Sequence, residues 1–225
     1  MAESKYDCLL TLSGGIDSTV LAHNITRDGW TPLCVYVDYG TRSKIGELRA
    51  ARETCKDLNL DLKIIDFTVY KELSKAFILG NSEEYLEGSM FWLDGRNAII
   101  GLMLSVLASS LEIDRVFLGI NASDSDGDYL DTTDEFMWSL NGLVRKSCRH
   151  TVTVEAPWLD CNLTKSDVIE LGNTYNLDWV RTTHSCSSGT EFPCCDYENC
   201  ESCKYRQIDF AAVNLPDPFT KAQHG

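Results

Sequence analysis

Two groups of residues in this chain have the types and spacing to do chemistry. The first is Ser13-Gly14-Gly15-Ile16-Asp17-Ser18-Thr19, which follows an apolar run and opens a stretch of helical pattern. Glycines let the backbone approach a ligand closely. A helix start offers unpaired N–H groups and the positive end of the dipole, which suits phosphate. The hydroxyls of Ser13, Ser18 and Thr19 add donors without bulk. No Gly-Lys-Ser/Thr follows, so the loop is not a Walker A sequence. The second group is five cysteines, Cys186, Cys194, Cys195, Cys200 and Cys203, crowded near the C-terminus. Cys200-Glu201-Ser202-Cys203 is a C-x2-C knuckle of the kind that suits tetrahedral zinc. The expected ligands are Cys186, Cys195, Cys200 and Cys203, with Cys194 competing for the place of Cys195. An iron–sulfur cluster or redox-active thiols are the rival readings.

The elements that must carry these groups follow from the pattern. Tyr6–Leu12 reads as a buried strand ending at the glycine pair, and Ser18–Arg27 as a helix. Thr31–Tyr39 is a second strand, rich in Val and Tyr. Glu47–Leu58 has helical spacing, with Leu48, Ala51, Cys55 and Leu58 on one face. Leu62–Phe67 is a third strand. Residues 68–96 read as an insertion, and Asn97–Leu111 as an apolar helix buried against a sheet. Arg115–Ile120 and Thr151–Ala156 are the fourth and fifth strands. Between them, Asn121–Thr133 reads as an acidic loop and Asp134–Val144 as a helix. Thr164 then caps a helix, with Asp167 three positions on in a capping-box layout.

The β-α-β-α-β order predicts an α/β fold: a Rossmann-like, open, parallel five-stranded sheet with helices on both faces. A small C-terminal zinc knuckle is appended. The expected division is residues 1–181 for the nucleotide-binding part and 182–225 for the knuckle and tail. Residues 182–206 have few core formers, so a metal would have to supply folding energy there. The last ten residues, from Pro216, read as a loose tail. Cys8, Cys34, Cys55, Cys148 and Cys161 read as small buried hydrophobes. Asp38, at the end of the second strand, lies where nucleotides bind in open α/β sheets.

Composition narrows the partners. The formal net charge is −14, and no Lys/Arg cluster offers the basic stripe that nucleic acid usually requires. No apolar run is long enough to span a bilayer, and the N-terminus has no basic-apolar-small signal layout. The expectation is a cytoplasmic protein that binds neither nucleic acid nor membrane.

Ser-Gly-Gly-x-Asp-Ser at the end of a first strand resembles the signature of the PP-loop ATP pyrophosphatases. With Gly95-Arg96-Asn97, Thr164-Lys165, Thr183-His184-Ser185-Cys186 and Cys203-Lys204-Tyr205-Arg206 in order along the chain, the sequence is similar to the 7-cyano-7-deazaguanine synthase (QueC) family. The resemblance implies an ATP-dependent ligase that makes a nitrile from 7-carboxy-7-deazaguanine and ammonia, releasing AMP and pyrophosphate. It implies ATP, Mg2+ and structural zinc as cofactors, and a homodimer. It places Asp17 near the metal–pyrophosphate and Ser13, Gly14, Gly15, Ser18, Thr19, Asp38 and Gly119 with the nucleotide. Lys165 would face the phosphates or the adenylate, and Arg96 and Asn97 the reacting carboxyl. Asp131 would accept two donors from the guanine-like edge; its bland alternative is an N-cap of the following helix. His184 is expected to pack against the knuckle.

Three local departures from the family pattern are visible. Asp94 stands where the family has proline before Gly-Arg-Asn. The loop Asp124–Thr132 is one residue longer and lacks the family's Pro and Cys. The spacing Cys195-x4-Cys200 is stretched. Two other enzymes fit these residues: a QueC-like ligase that couples the deazaguanine to a protein or other amine, as in antiphage defence, and a PP-loop enzyme that modifies transfer RNA. A non-catalytic nucleotide-binding protein is the alternative outside enzymology.

Overall fold

The computed structural model describes residues 5–73, 79, 93–126, 129–187, 189–193 and 200–219. The chain opens with β1 (Cys8–Thr11), α1 (Ile16–Arg27), β2 (Pro32–Asp38), α2 (Lys44–Leu58) and β3 (Leu62–Asp66). A short α3 (Tyr70–Leu73) precedes α4 (Arg96–Ser110), β4 (Arg115–Phe117), α5 (Ala122–Asp126) and α6 (Asp134–Ser147). Then come β5 (Thr153–Glu155), α7 (Pro157–Asp160), α8 (Lys165–Thr174), α9 (Trp179–Thr182) and α10 (Glu201–Ala212). The five strands form one sheet of order β3-β2-β1-β4-β5. Every pairing is parallel, from Cys8 opposite Pro32 to Phe117 opposite Glu155.

Strand alternation sorts the core into two faces. Cys8, Leu10, Cys34 and Tyr36 point toward α1, α2, α8 and α10, where they meet Val20, Ala51, Ile169 and Phe210. Leu9, Leu33, Val35 and Val37 point the other way, onto Leu104 of α4 and Leu140 of α6. Both faces of β1 and β2 are therefore covered, which is why these strands read as continuous apolar runs. The chain order reverses between β1 and β4, so their C-terminal ends open a crevice of the kind in which α/β sheets bind ligands.

Several expectations need correction. The stretch Asn121–Thr133 is not all loop: α5 and a 3-10 turn at Leu130–Thr132 occupy much of it. Residues 216–219 are not a loose tail. Asp217 is 8% exposed and Phe219 1% exposed, and Arg206 holds both, by a 3.0 Å ion pair to Asp217 and by stacking 4.8 Å above the Phe219 ring. An Arg fork between two aromatic rings is a long-range solution that local composition does not announce. Cys8, Cys34 and Cys55 are buried as expected, but Cys161 is exposed and Cys148 only half-buried. Most of the insertion lies outside the described residues. No helix among the described residues is long and apolar enough to cross a membrane.

Candidate active site

The phosphate loop is built around one glycine. Gly14 has φ +79°, and a Cβ there would fall on the Glu47 carbonyl oxygen of α2. Only glycine fits that conformation and that approach. The Gly14 carbonyl in turn accepts from the His184 backbone N–H at 2.7 Å. Ser13 and Ser18 face each other across the loop, their hydroxyls 3.1 Å apart. No side chain caps the start of α1, so its first-turn N–H groups suit an anion. Gly119, just past β4, approaches within reach of the same helix start: a Cβ there would sit 3.0 Å from the Ser18 nitrogen.

Asp17 collects the distant elements. Lys165, the first residue of α8, pairs with Asp17 Oδ2. Asn121 donates to Oδ1 at 3.2 Å, and the Trp158 indole donates to the Asp17 carbonyl at 3.1 Å. The capping box at Thr164 and Asp167 fixes where α8 begins, and so aims Lys165. Burial pulls the Lys165 pKa down, but the carboxylates of Asp17 and Asp124 outweigh it and the net shift is upward. Asp124, bound to Asn121 at 3.0 Å, is pushed up by burial and then by Asp17. Asp209 of α10 is also shifted up by burial and offset by Lys165. The local pattern did not single it out, because its place beside Lys165 depends on how α10 docks on α8.

Arg96 and Asn97 open α4. The Asn97 N–H donates to Asp131 Oδ2 at 2.9 Å, and its side-chain amide donates to the Asp131 carbonyl at 3.0 Å. Asp131 therefore caps α4 across space, while Thr133 caps the helix that follows. Burial lowers the Arg96 pKa, but Tyr39 and Asp131 reverse this and the net shift is upward.

A cavity of about 530 Å³ joins these parts at the C-terminal edge of the sheet. Ser13, Asp17, Ser18, Gly119 and Asp124 form one part of its wall, and Tyr36, Tyr39, Glu47, Arg96 and Asn97 another. Glu201, Ser202 and Tyr205 of α10 complete it. Some expected nucleotide contacts do other work. Thr19 is fully buried and donates to the Thr182 carbonyl at 3.1 Å. Asp38 is buried, pairs with Lys44 and accepts from the Gly40 N–H at 3.0 Å, so it holds the turn after β2. Tyr36, Tyr39 and Glu47 are wall residues that sequence reasoning missed. No local motif marks them.

Cys186, Cys200 and Cys203 bring their sulfurs within 4.8 Å of one another. The Cys186–Cys200 separation of 3.9 Å matches the edge of a tetrahedron with metal–sulfur bonds of about 2.3 Å. Hydrogen bonds from Cys186 and Cys203 hold the Cys200 thiol far below its ordinary value, and the thiolate is the form that binds metal. Cys194 and Cys195 lie outside the described residues. His184 is 2% exposed and bonds the Cys186 carbonyl at 2.9 Å. Burial lowers its pKa to about 4, so it packs as a neutral ring between the phosphate loop and the thiols.

Sheet order, phosphate loop and crevice together define an α/β nucleotide-binding protein. Solved structures share this fold. An NMN synthetase from Francisella tularensis matches over 96% of this chain and 79% of its own, at 18% identity and TM-score 0.53. The U34-tRNA thiolase NcsA from Methanococcus maripaludis matches over 94% of this chain and 69% of its own, at 16% identity and TM-score 0.54. The chain belongs to the QueC family: the family model described as queuosine biosynthesis protein QueC matches residues 7–214. A 7-cyano-7-deazaguanine synthase of Psychromonas ingrahamii is 31% identical over 92% of this chain and 93% of its own length. Another, from Methanocaldococcus jannaschii, is 25% identical over 93% of this chain and 96% of its own.

Proposed function

We propose that this protein is an ATP-dependent ligase that converts 7-carboxy-7-deazaguanine and ammonia to 7-cyano-7-deazaguanine. The observation that carries the reading is the family match over residues 7–214, which spans the phosphate loop, the crevice and the cysteines in one chain.

In the first step the substrate carboxylate attacks the α-phosphorus of ATP, and the bond to the β-phosphate oxygen breaks to release pyrophosphate. Ammonia then attacks the acyl carbon, AMP leaves and a proton is lost, giving the amide. The amide oxygen attacks a second ATP with loss of pyrophosphate and a proton. Expulsion of AMP, with loss of the last N–H proton, leaves the nitrile. Such steps depend on positioning and on neutralising developing charge. Ser13, Ser18 and the start of α1 hold the leaving pyrophosphate. Lys165 neutralises charge as it develops, and Asp17 would lie near Mg2+ carried by the phosphates. Arg96 and Asn97 hold the reacting carboxyl. Cys186, Cys200 and Cys203 would hold a structural zinc ion, with Cys195 the expected fourth ligand. Bound there, it would tie the chain at Cys186 to the start of α10.

The test is mass spectrometry of products after incubation with ATP, 7-carboxy-7-deazaguanine and a panel of amines including ammonia. The expected result is AMP, pyrophosphate and the nitrile with ammonia alone. Amide that accumulates without dehydrating, or an adduct with another amine, overturns the reading.

A further inference from the structure

Glu47 is a carboxylate on the cavity wall to which the roles above assign nothing. Three hydroxyls donate to it: Ser43 to Oε1 at 2.5 Å, and Tyr36 and Thr41 to Oε2 at 2.9 and 3.3 Å. Those donors are fixed posts, since Tyr36 is 2%, Ser43 3% and Thr41 7% exposed. A carboxylate has about four acceptor places. Two are taken on Oε2 and one on Oε1, so one place on Oε1 remains among the described residues. Burial pushes the Glu47 carboxyl upward, and its hydroxyl partners and the Arg96 charge only partly offset this. A further donor would stabilise the ionised form.

We propose that Glu47 Oε1 accepts one N–H from the exocyclic amino group of a purine-type ring lying in the cavity. One remaining place suits a single N–H rather than a two-donor edge. Asp131, the carboxylate that sequence reasoning assigned to such an edge, has Oδ2 engaged by the Asn97 N–H and is not on the wall. A ring with a keto oxygen at this point would set acceptor against acceptor, so the arrangement selects as well as binds. The proposal rests on the proposed function in naming the rings. Adenine of ATP carries a 6-amino group, and the deazaguanine acid carries a 2-amino group.

Calorimetric binding separates the two sources. Wild type, Glu47→Gln and Glu47→Met are each titrated with ATP, purine riboside triphosphate, 7-carboxy-7-deazaguanine and its 2-deamino analogue. Thermal melts check that the variants fold. Removing the amino group from one of the two rings is expected to weaken wild-type binding about 10- to 100-fold, the scale of a hydrogen bond to a charged acceptor. That penalty should shrink in Glu47→Gln, which keeps the shape, and vanish in Glu47→Met. The ring that shows the effect is the one Glu47 reads. Equal penalties in all three proteins, no penalty on either ring in wild type, or failure of both rings to bind overturns the proposal. Absence of AMP release with the deazaguanine acid would overturn the proposed function alone, because the ATP arm reads binding without turnover.

Discussion

The phosphate loop and the cysteine segment are held together in opposite ways. The loop takes its shape from neighbours in sequence: Ser13 meets Ser18, Gly15 donates to Ser13 Oγ at 3.3 Å, and Gly14 supplies the positive φ. The segment that leads into the thiols takes its shape from partners far away. The Thr182 carbonyl accepts from Thr19 and Thr54 at 3.1 and 3.2 Å, and Arg49 donates to the Arg181 carbonyl at 2.6 Å. Arg206 clasps Thr183 and Ser185 at 3.0 and 3.2 Å. The two regions meet where the His184 N–H donates to the Gly14 carbonyl and Thr19 donates to the Thr182 carbonyl. A locally specified loop can thus be braced by a segment that has little local specification of its own.

Arg206→Met should expose this asymmetry most strongly. The Arg206–Asp217 pair is almost wholly buried, and removing one partner of such a pair costs about 3–5 kcal/mol. Chemical denaturation checks this. A loss below about 1 kcal/mol would mean that the thiols, and not the ion pair, hold the segment. The double variant with Asp217→Leu should recover part of the loss, since no charge is then left alone.

Asp17→Asn should act in the other direction, on chemistry more than on fold. Substrate-dependent ATP–pyrophosphate exchange is expected to fall about 10²- to 10³-fold, the size of one lost electrostatic contact in an active site. Lys165 keeps Asp124 and Asp209 as neighbouring charges, so the melting temperature should move little.

A pair of glycines gives a smaller and sharper comparison. Gly14 and Gly95 both have positive φ, but a Cβ on Gly95 meets nothing within 4 Å. Gly95→Ala should cost only the conformational term, about 1–2 kcal/mol. Gly14→Ala should cost clearly more in the same denaturation experiment, because the Glu47 backbone cannot step aside. The smallest effect expected is Thr164→Ala, about 1 kcal/mol for loss of a helix cap, read by denaturation. It should be accompanied by a rise in KM for ATP if the cap aims Lys165.

Features that depend on near neighbours were legible in the sequence. The apolar run Tyr6–Leu12 read as a buried strand, and β1 forms within it. The glycine pair located the loop, Thr164 and Asp167 located the start of α8, and cysteine spacing brought Cys200 beside Cys203. Each of these rests on contacts within a few residues, where chain geometry leaves few choices. Tertiary structure alone decided the rest. It placed Lys165 on Asp17 across 148 positions, turned Asp131 into a cap for α4 across 34, put Glu47 on the cavity wall and buried Asp217 and Phe219 under Arg206. Such partners are chosen by how helices dock on the sheet. Residue type says that a carboxylate needs donors, but only the packed fold determines which donors reach it.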